Sequence, residues 1–140
     1  MTIEAQPKPP ATRIPGLLAI RQYVGHAPDA AVMLLELRAY SQGCLLEFVS
    51  VCRAPSGEHG TPRFDVHLAD GTVAGTGRTV CRLDDPISLA ARLWISPLPP
   101  VEGFTLITDW PEQGIVAQRS KLDGGSIREA AWDSFPCLPT

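Results

Sequence analysis

Few residues in this chain have types and spacing that could do chemistry. His59, Asp65 and His67 form the one grouping with metal-ligand character. Asp65 and His67 stand two apart, so an extended strand projects both from one face. His59 would have to fold back from the preceding loop to act as a third ligand. A catalytic zinc centre needs three protein ligands and an open position, and this trio would meet that minimum. Histidine and aspartate at outward-facing positions are equally what a solvated sheet face carries. The trio is therefore kept as a candidate metal or small-ligand site, and no cofactor is expected.

The other chemical signatures fail on spacing. Gly71-Thr-Val-Ala-Gly75-Thr-Gly77-Arg-Thr79 resembles a phosphate-binding loop in composition only. Such a loop needs glycine, four residues and then Gly-Lys-Ser/Thr, so that backbone amides and a lysine surround the phosphates. Here the gap is five residues and arginine replaces lysine. Asp84-Asp85-Pro86 then ends the segment before a helix could supply its dipole. There is no Gly-x-Ser-x-Gly elbow, no HExxH and no CxxC. Cys44 and Cys52 fall eight apart on one expected strand, about 26 Å when extended. A disulfide needs Cα atoms within about 7 Å, so they are read as buried thiols that do not bridge each other. Cys137-Leu-Pro-Thr140 places a cysteine four from the end, but proline and threonine match a prenylation box poorly. Catalytic residues are expected to be none.

Arg92 and Trp94 carry the remaining signal. They share parity on an expected strand whose other side is Leu93 and Ile95. Core packing is the first reading of Trp94; if the face it shares with Arg92 is exposed, an arginine beside a tryptophan is the composition of protein-binding hot spots. They are the candidate partner-binding residues.

These side chains need elements to hold them, and composition restricts the choice. The 140 residues include 14 prolines and 12 glycines, nearly a fifth of the chain against about 12 % in average usage. Each proline inside a helix costs about 3 kcal/mol, so long helices are excluded. With 44 % apolar and 19 % charged residues the chain is hydrophobic enough to fold around one core. Lys and Arg total 12 against 15 Asp and Glu, a net charge of −3, which argues against nucleic-acid partners. Ten of the 12 basic residues are arginine and asparagine is absent, as in proteins from GC-rich bacterial or phage genomes. The longest early apolar run, Leu17 to Ile20, is far short of the roughly 18 residues of a membrane span. No signal-peptide pattern opens the chain, so a cytoplasmic protein with no membrane contact is expected.

Along the chain, residues 1–13 hold three prolines and read as a flexible arm, leaving 14–140 as one domain. Strands are expected over 14–24, 31–40, 44–53, 64–69, 72–83, 89–95, 104–110 and 115–122. The 31–40 segment alternates Met33, Leu35, Leu37 and Ala39 against Glu36, Arg38 and Tyr40, the pattern of a half-buried strand. Ser41-Gln-Gly43 should turn it back with glycine at a positive φ, pairing it with a strand whose Leu46, Phe48, Ser50 and Cys52 share a face. Asp70-Gly71 marks another tight turn. Ser126 and Glu129 fit a capping box. Ile127, Ala130, Ala131 and Ser134 then follow at helical spacing, giving a short helix stopped by Pro136, with Trp132 or Phe135 as a plug over the sheets. Seven to eight short antiparallel strands and one C-terminal helix predict an all-β sandwich, immunoglobulin-like in architecture, with a small barrel as the alternative.

The segments Trp94-Ile-Ser-Pro-Leu-Pro-Pro100, Phe104-Thr-Leu-Ile-Thr-Asp-Trp-Pro111, Gly114-Ile115, Leu122-Asp-Gly124 and Ile127-x-x-Ala-Ala131 carry a resemblance. Together with the hairpin 34–51 around Gly43, they resemble a group of uncharacterised small actinobacterial proteins with β-sandwich-like patterning. The match spans about two-thirds of the chain. It rests on Pro, Gly, Trp and apolar positions, so it implies a shared skeleton and no catalytic residue. The expected function is a non-enzymatic protein-interaction or structural module, with a homodimer among its partners. The alternative is a small-ligand or metal domain using His59, Asp65 and His67.

Overall fold

The computed structural model describes residues 10, 12–53, 60–77, 79–82 and 88–136. Outside them fall His59 with the 54–59 loop, the Asp84-Asp85-Pro86 turn, Cys137 and most of the expected N-terminal arm. The protein is an all-β antiparallel sandwich with one helix. Its strands are β1 (Arg13–Ile14), β2 (Gly16–Ala27), β3 (Ala30–Tyr40), β4 (Gly43–Cys52), β5 (Arg63–Leu68), β6 (Val73–Gly77), β7 (Thr79–Arg82), β8 (Ser88–Ile95), β9 (Phe104–Trp110), β10 (Ile115–Leu122) and β11 (Phe135–Pro136), with α1 (Gly124–Ala131) between the last two. One sheet has the order β2-β3-β4-β8-β7, the other β10-β9-β5-β6, and β1 pairs with β11 in a short ribbon.

The two main sheets hold nine strands rather than seven or eight, because the expected 72–83 strand is divided between them. Its first part, β6, is the edge of the four-stranded sheet, and its second part, β7, is the edge of the five-stranded sheet. Arg13, assigned to the arm on sequence, is already paired with Pro136. The sheets bury their inner faces on each other: Phe48 of β4 stacks on Phe64 of β5 with ring centroids 4.0 Å apart. Around that stack lie Leu34, Leu37, Leu46, Val66, Leu106, Trp110 and Ile115, all fully buried. A fully buried side chain of this kind contributes about 1.5–3 kcal/mol.

The alternation expected in β3 is corrected by a bulge. Val32 and Leu34 face the core, the register shifts between Leu34 and Glu36, and Leu37 and Ala39 then resume the inner face. Leu35 is the extra residue, so it and Met33 are turned outward although both are apolar. One inserted residue reverses parity along the rest of a strand. In β2 two further bulges carry the strand to Ala27, past the break expected at Gly25. The β3–β4 turn is tighter than expected. Tyr40 pairs with Gly43, leaving only Ser41 and Gln42 in the bend, and Gly43 lies inside β4 without a positive φ.

The helix also starts earlier than its expected cap. Asp123 is the N-cap, accepting hydrogen bonds from the backbone amides of Gly125 and Ser126 and from the Ser126 hydroxyl, the last at 2.8 Å. Its carboxylate is held below the usual aspartate value, first by the Ser126 hydroxyl and then by the backbone amides. Helix α1 ends at Ala131, before Ser134, and packs its Ile127, Ala130 and Ala131 face against β2 and β3. Trp132 is 85 % exposed and Phe135 is exposed too, so neither is the expected plug. Ile127 and the two alanines fill that place. Arg128 ties the helix to the proline corner by donating to the Pro99 carbonyl at 2.7 Å.

Where β10 runs beside β2, a side chain joins the edges of the two sheets. Gln118 on β10 accepts from the His26 amide and donates to the His26 carbonyl, both at 2.8 Å, so its carboxamide imitates a paired strand residue. Both edge strands carry a non-glycine residue at positive φ near this junction, Arg21 and Ala117. Such bulged edges are poor templates for pairing with another strand.

Candidate functional site

The sheet surfaces differ in what they offer. Cross-strand pairing sets Arg63 opposite Asp109, Asp65 opposite Ile107 and His67 opposite Thr105 on the outer face of the four-stranded sheet. Arg119 and Lys121 of β10 lie opposite Ile107 and Thr105, which makes this face polar and mixed in charge. Asp65 and His67 do share a side, as their spacing requires, and Asp65 is exposed. Among the described residues, no three His, Cys, Asp or Glu side chains come together as a metal group.

The outer face of the five-stranded sheet has another character. Register places its residues in rows across the strands. Leu17, Arg38, Leu45 and Trp94 form one row, and Ala19, Glu36, Glu47 and Arg92 the next. Tyr23, Met33, Val49 and Ala90 form the third, and His26, Ala31, Val51 and Ser88 the fourth. Arg92 and Trp94 therefore stand on one face, as their parity indicated, with Leu89, Ala91, Leu93 and Ile95 buried behind them. Trp94 is half-buried because the ring of Tyr40 meets it edge-on at 5.8 Å. Gly43 leaves room for the indole: a Cβ there would sit 2.7 Å from Trp94 Cζ2 and nearer still to the Ile95 carbonyl oxygen. The glycine placed in the turn on sequence grounds thus serves close packing beneath Trp94.

A charge quartet occupies the middle of this face. Glu47 Oε1 lies 3.4 Å from Arg38 Nη2 and 3.3 Å from Arg92 Nε, and Glu36 approaches Arg38 at 3.7 Å. Glu36 and Glu47 are direct cross-strand partners, so two carboxyls face each other between two guanidinium groups. Burial raises the Glu47 pKa first, and hydrogen bonding with Glu36 raises it further. Arg38 and Arg92 oppose the shift without cancelling it. Sequence reasoning found Arg92 but missed Glu47, Glu36 and Arg38. They belong to other strands, and only the register of β3, β4 and β8 brings them together.

Beyond the quartet the face is apolar, with Tyr23 62 % exposed and Leu35 and Val51 also exposed. It ends in an open pocket of about 660 Å³ lined by residues that include Tyr23, His26, Ala31, Val51 and Arg53. Arg53 closes the rim, held 3.2 Å from Asp29 and donating to the Pro28 carbonyl. The thiol of Cys44 lies on the opposite side of the sheet, in the core, where burial pushes its pKa up to about 12. A thiol so protonated is a packing group, since only the thiolate is nucleophilic. No helix among the described residues is long and apolar enough to cross a membrane. Comparison with protein-family models, with curated proteins and with solved structures found no match.

Proposed function

We propose that this protein is a non-enzymatic interaction module whose working surface is the outer face of the five-stranded sheet. The observation that carries this reading is the composition of that face. Trp94, Tyr23, Met33, Leu35, Val49 and Val51 line it, and Arg38 and Arg92 are held in place by Glu47. Tryptophan, tyrosine and arginine supply most binding energy at protein interfaces. An apolar sheet face left to water is a liability that a partner removes. The pocket at the Tyr23–His26 end gives the same face a recess for a projecting side chain. The four-stranded sheet, with Asp65 and His67, turns a polar surface to solvent and has less to gain from contact.

Oxidative footprinting tests the reading, because tyrosine, tryptophan and methionine are the residues it labels. Labelling of Tyr23, Met33 and Trp94 should fall in concentrated extract of the source cells relative to dilute buffer, with Trp132 unchanged. Equal labelling of the three in both conditions would overturn the assignment of this face.

A further inference from the structure

We infer that the partner of this face is a second copy of the chain, docked about a two-fold axis that runs along the strands between β4 and β8. This rests on the interaction reading above and adds the identity of the occupant. In a two-fold interface the same patch serves both copies, so each contact must be satisfied by its own inverse. An axis between β4 and β8 maps each row of the face onto itself. Glu47 of one copy then lies over Arg92 of the second, and Arg92 over Glu47. Leu45 meets Trp94 in the neighbouring row, and Val49 meets Ala90 in the row beyond. In these three rows charge falls on opposite charge and apolar on apolar. The alternative of moving the axis one strand, to lie between β3 and β4, sets Glu36 over Glu47 and places carboxyl on carboxyl. The arrangement of charges thus selects one register and rejects its neighbour, a selection that like-charge contacts make costly to evade.

Size supports a modest affinity. The overlap spans β3, β4, β8 and β7 in width and the Trp94-to-Ser88 length of β8, roughly 19 Å by 20 Å, or about 400 Å² of projected face per copy. Stable interfaces bury about 800 Å² of accessible surface per partner, so this pairing sits at the small, exchanging end of specific contacts. A dimer that forms in the micromolar range and above is expected.

Sedimentation equilibrium from about 10 µM to about 500 µM reads it directly, over a span that matches an interface of this size. The weight-average mass should rise with concentration from the monomer value of 15.1 kDa toward twice that. Arg92→Glu should weaken the association at least about tenfold, because carboxyl then faces carboxyl twice in each dimer. Glu47→Arg should do the same, and an equimolar mixture of the two variants should associate again, since each chain now carries the charge the other needs. If Glu47→Arg does not fold, Val49→Asp replaces it, and its mass should stay at the monomer value throughout. A wild-type chain that remains monomeric at the highest concentration overturns the self-pairing. Footprinting protection in extract would then leave the interaction reading standing with another partner. A dimer indifferent to Arg92→Glu also overturns it, and would place the contact elsewhere, for instance at the exposed Trp132 and Phe135.

Discussion

Gly43→Ala is the sharpest test of how the core shapes the outer face. Gly43 is buried at the start of β4, paired with Tyr40 and directly before the Cys44–Ile95 pair. A methyl group there would lie 2.7 and 2.9 Å from two atoms of the Trp94 ring and closer again to the Ile95 carbonyl oxygen. Ordinary carbon contacts need about 3.5–4.0 Å. The indole would have to move by most of an ångström, and the backbone of β8 would have to withdraw. Overpacking of this kind costs about 1–3 kcal/mol. At roughly 4 °C per kcal/mol for a domain of this size, the melting temperature should fall by about 4–12 °C. Gly71 supplies the control. It stands at φ +88 with nothing within 4 Å of an added Cβ, so its constraint is conformational and not steric. Asparagine tolerates that region of backbone space better than other side chains. Gly71→Asn should therefore be nearly neutral, while Gly43→Asn should be worse than Gly43→Ala. Urea denaturation of the three variants reads all of this, and Tyr23 and Trp94 footprinting reports whether the outer face has shifted. A Gly43→Ala protein within about 0.5 kcal/mol of the parent would refute the packing account, because changes that small are typical of unconstrained surface sites.

Three more expectations follow from the ionisable groups. Carboxyl carbon NMR should show Glu47 titrating above the usual glutamate value of 4.5, moving higher still in Arg92→Ala and lower in Glu36→Gln. Because its folded pKa is raised, ionising Glu47 opposes folding, and its contribution to stability is lost as pH rises through the folded value. A shift in the opposite direction in either variant would contradict the quartet's geometry. Asp123 has the reverse sign: its folded pKa is depressed below 3.8, so its stabilising contribution is present above that value and lost as pH falls through the folded pKa. Asp123→Asn should remove that part of the acid sensitivity of α1, measurable by circular dichroism on acidification, and an unchanged acid profile would count against the cap. Cys44, with its thiol pKa near 12, should resist alkylation at pH 8 in the folded protein and react only as fast as the domain unfolds. Rapid labelling under native conditions would show that β4 is open to solvent where the fold has it closed.

Much of the architecture was legible from residue order because its signals are local. Period-two alternation identified β4, β5, β8 and β9, β10 followed from the turn before it, and Asp70-Gly71 marked a real turn. The parity argument put Arg92 and Trp94 on one face and Leu93 and Ile95 on the other, and the burial of β8 shows that the second face is the inner one. The bulge and the misplaced plug depended on partners distant in sequence, whereas the missed cap, Asp123 on Gly125 and Ser126, is local. The bulge at Leu35 leaves no trace in β3 alone, since it exists only relative to the register of β4. Ser126 and Glu129 satisfied a capping pattern, yet Asp123 was free to take the cap once β10 delivered the chain to the helix. Trp132 looked like a plug because of its size, but the space it would fill is occupied by Ile127, Ala130 and Ala131.

By itself, then, the sequence determined that this protein is a small antiparallel β domain, since proline and glycine spacing limits the length of each element and alternation decides which residues seek the core. It also determined that Arg92 and Trp94 would share a surface. Tertiary structure alone decided what surrounds them: Glu47 and Glu36 from β4 and β3, Arg38 one row away, Tyr40 against the indole, and Gly43 making room beneath it. Those neighbours are spread over 56 positions of chain, from Glu36 on β3 to Arg92 on β8, with β4 paired between them. Register between such strands is chosen by which inner faces bury together. The charges on the outer face are carried into place by a core they do not touch.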